Sequence, residues 1–163
     1  MSIISERFEN LSLNKTKLLE VLYSNDDLVK LLIFNDKDFL SKDLPENFDR
    51  TSLLYSQIFP YKYSPKIEDT PKTIVTINFT YKKHDNTYKI SDFYVYIITH
   101  FSLASCDYGL RLDKGISIID KIVNQSRLFG IGRVEFDQMY EFSTDNTSQW
   151  IGTCIGYKTY EFN

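Results

Sequence analysis

The chain carries two histidines and two cysteines, the side chains with the widest chemical reach at neutral pH. Histidine is the commonest general base, and a thiolate beside one is a nucleophile. His100 precedes Cys106 by six residues, with Asp107 and Asp113 close by in sequence. A Cys–His pair needs a third group to orient the imidazole and donors for an oxyanion, and nothing in the spacing fixes either. The plainer reading has His100 hydrogen-bonding the loop that it opens, and Cys106 as a small buried or half-buried residue. His84 falls in turn chemistry, His84-Asp85-Asn86-Thr87. Cys106 and Cys154 lie far apart in no C-x-x-C spacing, which predicts free thiols in a reducing cytoplasm, with no zinc site or redox motif.

Carboxylates pair at Asp26/Asp27 and at Glu135/Asp137. The first pair reads as helix-start chemistry. The second is spaced i, i+2 on a strand, so both side chains face one side. That arrangement suits a solvated or interfacial face better than an acid/base dyad, since nothing signals a raised pKa. Arg111 and Asp113 fall in the first turn of a predicted helix, where Asp113 complements the positive helix end. Arg111 either anchors the preceding loop or reaches a neighbouring subunit. Gly130-Ile131-Gly132 lacks the third glycine of a phosphate loop and precedes a strand rather than a helix. No H-E-x-x-H, nucleophile elbow or C-x-x-C is present. Lys82-Lys83 is too small a basic patch for nucleic acid. The expectation is a protein that is not an enzyme, with no catalytic residues, no cofactor and no metal.

Around these residues the chain divides into a helical first third and a strand-rich remainder. Leu18, Leu19, Val21, Leu22, Leu28, Val29, Leu31 and Leu32 recur at helical spacing, broken by Ser24-Asn25-Asp26-Asp27. Helices are predicted over 15–23 and 26–33, the second capped by Ser24 or Asn25, with an extra turn near 3–9. Residues 34–72 are polar and hold all four prolines, Pro45, Pro60, Pro65 and Pro71. This reads as a long loop, functional or disordered when unbound, with a short helix near Thr51–Ile58. Strict alternation predicts a strand over Thr73–Lys82, with Val75, Ile77, Phe79 and Tyr81 on one face. Tyr88–His100 is its hairpin partner. Leu112, Ile116, Ile119 and Val123 form one stripe of a helix over Gly109–Gln125, widened by Ile118 and Ile122.

Two more strands are predicted, over Arg133–Phe142 and Trp150–Phe162. In the first, Val134, Phe136, Tyr140 and Phe142 share a face, opposite Arg133, Glu135, Asp137 and Glu141. In the second, Gly152 and Gly156 suggest a bulge or close packing against another backbone. The fold class is therefore α+β: an antiparallel sheet of about four strands, in the order helices, β-hairpin, helix, β-hairpin, with helices packed on one face. The other face carries charge and tyrosine. A single domain is expected over 1–163, with helices in 1–33, the long loop in 34–72 and a ββαββ core in 73–163.

Composition narrows the function classes. The chain has 163 residues, 42% of them hydrophobic and 25% charged, with net charge −3, so it can bury a core and is not intrinsically disordered. No apolar run is long enough to span a membrane, and no secretory signal is expected at the N-terminus. A pI near 5.4 argues against nucleic acid as the main partner. Twelve tyrosines and twelve phenylalanines suit half-wet subunit contacts, or reflect an AT-rich genome.

The element order resembles the small neck proteins of tailed bacteriophages, in particular the tail-terminator (head–tail joining, tail-completion) family. The matching stretches are the N-terminal helix, the long loop and the proline-introduced strand Pro71-Lys72-Thr73-Ile74-Val75-Thr76-Ile77. The hairpin partner Phe93 to His100 and the helix opened by Gly109-Leu110-Arg111-Leu112-Asp113 follow. The closing strands Gly130 to Phe136 and Trp150 to Asn163 complete a likeness over roughly residues 12–163.

The resemblance implies a non-enzymatic virion protein assembled in the host cytoplasm. Its copies would form a homo-oligomeric ring, commonly of six subunits or matching the connector symmetry. The ring terminates the tail tube and joins it to the head connector. Other neck and tail-tube proteins are the implied partners, DNA is only passing cargo, and no membrane is involved. The candidate subunit-interface residues are Tyr61, Tyr63, Arg111, Asp113, Arg133, Glu135, Asp137 and Trp150. The competing reading is a small phage-encoded module that inhibits or regulates a host protein. A hydrolase or transferase around His100 and Cys106 is the third.

Overall fold

The computed structural model describes residues 3–82, 88–129, 132–144 and 146–162. Helix α1 runs Ile3–Ser24 and α2 Asp26–Ile33. The expected helix over 15–23 and the extra turn near 3–9 are thus one continuous helix. No proline or glycine interrupts that stretch. The break after it has a clear cause. Asn25 is extended, and its Oδ1 accepts the Leu28 amide at 2.9 Å, capping α2 behind the acids Asp26 and Asp27. Leu18, Leu22, Leu28, Val29, Leu31 and Leu32 are all buried.

Residues 34–72 are more ordered than a free loop. Short 3-10 turns occupy Phe39–Ser41 and Arg50–Leu53, and a two-residue strand β1 forms at Ile58–Phe59. The short helix expected near Thr51–Ile58 is therefore a tight turn followed by a strand. Phe39, Leu53 and Ile58 are buried in the main core. The Gln57 side-chain amide donates to the carbonyls of Leu32 and Thr73, fastening this segment to α2 and to the sheet. The Asn35 amide donates to Pro71 O at 3.1 Å and closes the segment's two ends on each other.

Strand β2 spans Thr73–Lys82, as its alternation predicts, and its expected hairpin partner β3 spans Tyr88–His100. Between them, the His84-Asp85-Asn86-Thr87 turn lies outside the described residues. A two-stranded ribbon, β4 at Ser105–Cys106 and β5 at Gly109–Leu110, precedes helix α3 at Arg111–Val123. Gly109 has φ 100°, a left-handed value, so the helix begins two residues later than its apolar stripe suggested. Gly130 and Ile131 lie outside the described residues. Strand β6 then runs Val134–Ser143 and β7 Trp150–Phe162.

The main sheet has five strands in the order β1-β2-β3-β7-β6. It is mixed, because β1 runs parallel to β2 while the other pairs are antiparallel. The expected four-stranded antiparallel sheet is corrected by this short edge strand, which is too brief for a period of two to register in sequence. Helices cover one face. Val75, Ile77, Phe93, Val95, Ile97 and Ile155 point at α2 and α3 in a single core. Gly115 lets α3 settle onto β3, since a Cβ there would lie 2.1 Å from the Ile97 Cδ1.

The expected face assignment of β6 is also corrected. Its pairing with β7 slips between Phe136 and Gln138, leaving Asp137 as a bulge. Val134 and Phe136 therefore share the helix side, opposite Thr159 and Tyr157, whereas Tyr140 and Phe142 lie on the outer side, opposite Cys154 and Gly152. The bulge expected near the β7 glycines thus falls in the neighbouring strand. The glycines themselves receive aromatic side chains. The Phe142 ring lies over Gly152 and the Tyr94 ring over Gly156.

Candidate functional site

The outer face of the sheet holds most of the surface chemistry. Its lower half is roofed by the proline-marked segment. Phe59, Ile74, Ile98 and Trp150 form a second, smaller core there, with Tyr63 and Phe142 against it. Tyr63 stacks on Phe59 with ring centroids 3.9 Å apart, and the Trp150 indole donates to Lys66 O at 3.0 Å. The proline-biased backbone of 60–71 suits this role, because it lies flat on the sheet with few amides to satisfy.

Above that roof the face carries hydroxyls. The phenols of Tyr96 and Tyr140 hydrogen-bond each other and the Cys154 thiol, and Asn78 meets Tyr96. Burial pushes the thiol's pKa up, and it does the same to the Tyr96 phenol. Tyr140 is pushed well above its ordinary value, first by its hydrogen bond to Cys154 and then by burial. A thiol with a raised pKa holds little thiolate at neutral pH, so Cys154 is suited to packing and not to attack. Thr76 Oγ1 is buried here with no protein partner, under a pocket of about 220 Å³ that Lys62 and Ser64 also line.

His100 and Cys106 are each engaged in their own loops. His100 Nδ1 lies 2.7 Å from Ser102 Oγ and accepts the Ser102 amide, and its ring meets Trp150 edge-on. The Cys106 thiol donates to Gly109 O, closing the β4–β5 turn. Among the described residues, no three His, Cys, Asp or Glu side chains converge as a metal site requires. No helix among them is long and apolar enough to cross a membrane.

The candidate interface residues do not form one cluster. Tyr61 is exposed, and its ring meets Phe59 and Tyr55. Tyr63 is half-buried in the roof, and Trp150 is wholly buried beneath it, so the indole is a core group of the subunit. Arg111 is likewise wholly buried, which resolves its two readings toward the loop anchor. Its guanidinium donates to Leu31 O and Phe34 O at 3.0 Å, to Asp36 O at 2.7 Å and to Leu103 O at 3.1 Å, and lies over the Phe39 ring. A cation at the positive start of its own helix is thus stabilised by the carbonyl end of α2. Glu135 and Asp137 gather around Lys158. Glu135 is its cross-strand neighbour, and Asp137 bonds it at 2.6 Å from the bulge. Asp113 and Arg133 are exposed at opposite ends of α3.

Two surface features escaped the sequence reading. The first is β6 as a free sheet edge, with Phe136, Met139 and Tyr140 about half exposed. Met139 falls out of phase with Val134 and Phe136, and that lapse in alternation is the trace of the bulge. The second is a cleft of about 390 Å³ between the start of α3 and the end of β6, lined by Leu110, Leu112, Asp113, Glu141, Phe142 and Ile151.

The YomW family model matches residues 25–159, from the cap of α2 to the body of β7. The chain belongs to the YomW family. Membership points to a bacteriophage protein. The matched span holds the second core, the buried Arg111 and the whole of β6, so the surfaces described above belong to the family's shared region. No curated protein matches the chain.

Proposed function

We propose that this YomW family member is a structural subunit of a phage virion neck with no catalytic role. Copies form a ring that terminates the tail tube and joins it to the head connector. Its partners are other copies of itself and the adjoining neck and tail-tube proteins. Its location is the virion, after assembly in the host cytoplasm. DNA passes through without being bound, which suits a chain of net charge −3.

The observation that carries this reading is the open β6 edge. Residues 124–126 already bond the Val134 backbone and the Phe136 amide, but beyond them β6 is the margin of the sheet with no further strand beside it, and three large apolar side chains accompany it. Such an edge invites pairing or packing with another chain. The engagement of His100, Cys106 and Cys154 in local hydrogen bonds and packing supports a non-enzymatic role.

Size-exclusion chromatography with light scattering tests the proposal. The expected result is one defined oligomer, formed alone or on mixing with neck proteins. A strict monomer in both settings contradicts it. If that monomer instead forms a one-to-one complex with a host protein, the inhibitor reading takes its place.

A further inference from the structure

We propose that the cleft at the start of α3 is the acceptor half of a head-to-tail contact between copies, filled by Arg127 and Arg133 of the next copy. The inference rests on the ring reading above and names its interface.

The cleft is apolar in its body and acidic at its rim. Leu110 is 55% exposed there, and Leu112, Phe142 and Ile151 continue the apolar lining. Asp113 and Glu141 are exposed at the same cleft and make no ion pair among the described residues. The occupant should therefore be basic, with some apolar surface.

The 125–134 loop has that chemistry. Its ends are tied by two hydrogen bonds, Gln125 N to Val134 O at 2.7 Å and Val134 N to Ser126 O at 2.8 Å. Phe129 anchors it in the core against Phe79 and Phe93. Arg127 and Arg133 stand exposed on either side of that anchor, with no ion pair among the described residues, and Leu128 is half-buried beside them. Arg127 and Arg133 thus lie beside tied or buried residues while both cations face solvent.

The cleft lies at the start of α3 and the end of β6, and the loop at the end of α3 and the start of β6. Thirteen residues of helix separate them by about 20 Å. One copy therefore cannot fill its own cleft. A contact between two different patches repeats around a ring when the rotation closes, whereas a two-fold dimer satisfies it only if both patches of each copy face one partner; a mass of more than two copies in light scattering separates the two.

Two doubly substituted chains test the inference by light scattering: Arg127→Glu with Arg133→Glu, and Asp113→Lys with Glu141→Lys. All four sites are exposed, and circular dichroism checks that each variant keeps the wild-type fold. Each variant alone should need at least about tenfold more protein to assemble than wild type, because like charges then meet across every contact. An equal mixture should recover assembly, since each loop then faces a cleft of opposite sign, and the rings should hold an even number of copies. Assembly of either variant alone at wild-type concentrations, or failure of the mixture to recover, overturns this interface while a wild-type ring preserves the neck reading. A wild-type monomer overturns both.

Discussion

Trp150 and Lys66 are joined by an indole-to-carbonyl hydrogen bond of 3.0 Å that spans eighty-four residues of sequence. It fastens the proline-marked segment onto the outer face and turns half of that face into a second core. Trp150→Phe keeps an aromatic ring but leaves the Lys66 carbonyl without its donor. Stability should fall by about 1–3 kcal/mol, and residues 60–71 should become the first site of proteolytic nicking. Urea unfolding and limited proteolysis would measure both. Unchanged cleavage would mean that the segment is held by other contacts.

Arg111 satisfies four carbonyls from two stretches of chain, 31–36 and Leu103, which no shorter cation can span. Arg111→Lys should lower stability by roughly 2–4 kcal/mol, and Arg111→Met by at least as much, because buried carbonyls lose charged donors. Thermal melts check this. A variant within about 0.5 kcal/mol of wild type would show that the clamp is dispensable.

Alkaline pH should unfold the chain. Tyr157 donates to Asp120 at 3.0 Å, and burial, then the neighbouring carboxylate, pushes its pKa well above the ordinary value of 10.0. Tyr96 and Tyr140 are raised as well. A raised folded-state pKa contributes stability that is fully present below the unfolded value. It is lost as pH rises beyond about 10, at roughly 1.4 kcal/mol per pH unit for the fully buried Tyr157. Denaturation followed from pH 8 to 12 should show that decline, and Tyr157→Phe should make it shallower. A flat profile would count against the buried Tyr157 phenol.

The Phe142 ring occupies the space where a side chain at position 152 would stand, 2.5 Å from an added Cβ. Gly152→Ala should cost about 1–3 kcal/mol through overpacking, and adding Phe142→Leu should recover part of it. Because Phe142 also lines the cleft, the single variant should weaken assembly more than an equally destabilised variant elsewhere. Equal stability of Gly152→Ala and wild type would place the ring elsewhere.

Much of this architecture was legible in the residues, for reasons the structure makes plain. Strand β2 alternates and β3 carries the aromatic and β-branched run Phe93–Ile98, so both show in the residues. Asn25 announces the break before α2 because its side chain can accept an amide that the helix leaves free. Ile58-Phe59 gives no such signal, since two residues have no period. The β6 bulge shifts the phase by one residue and moves Tyr140 and Phe142 to the other face. Nothing in the sequence separates the two readings of Arg111, loop anchor or subunit contact. Its acceptors are backbone carbonyls, and those of Leu31, Phe34 and Asp36 are supplied from 75 to 80 residues away, where no side-chain pattern marks them. The cleft joins α3 to β6 and became visible only once the fold brought those elements together.

Negative-stain electron microscopy of the purified wild-type chain, alone and after mixing with neck proteins, addresses the central claim most directly. The account predicts closed rings of one size with a central channel. Fields of separate single subunits in both preparations would contradict it.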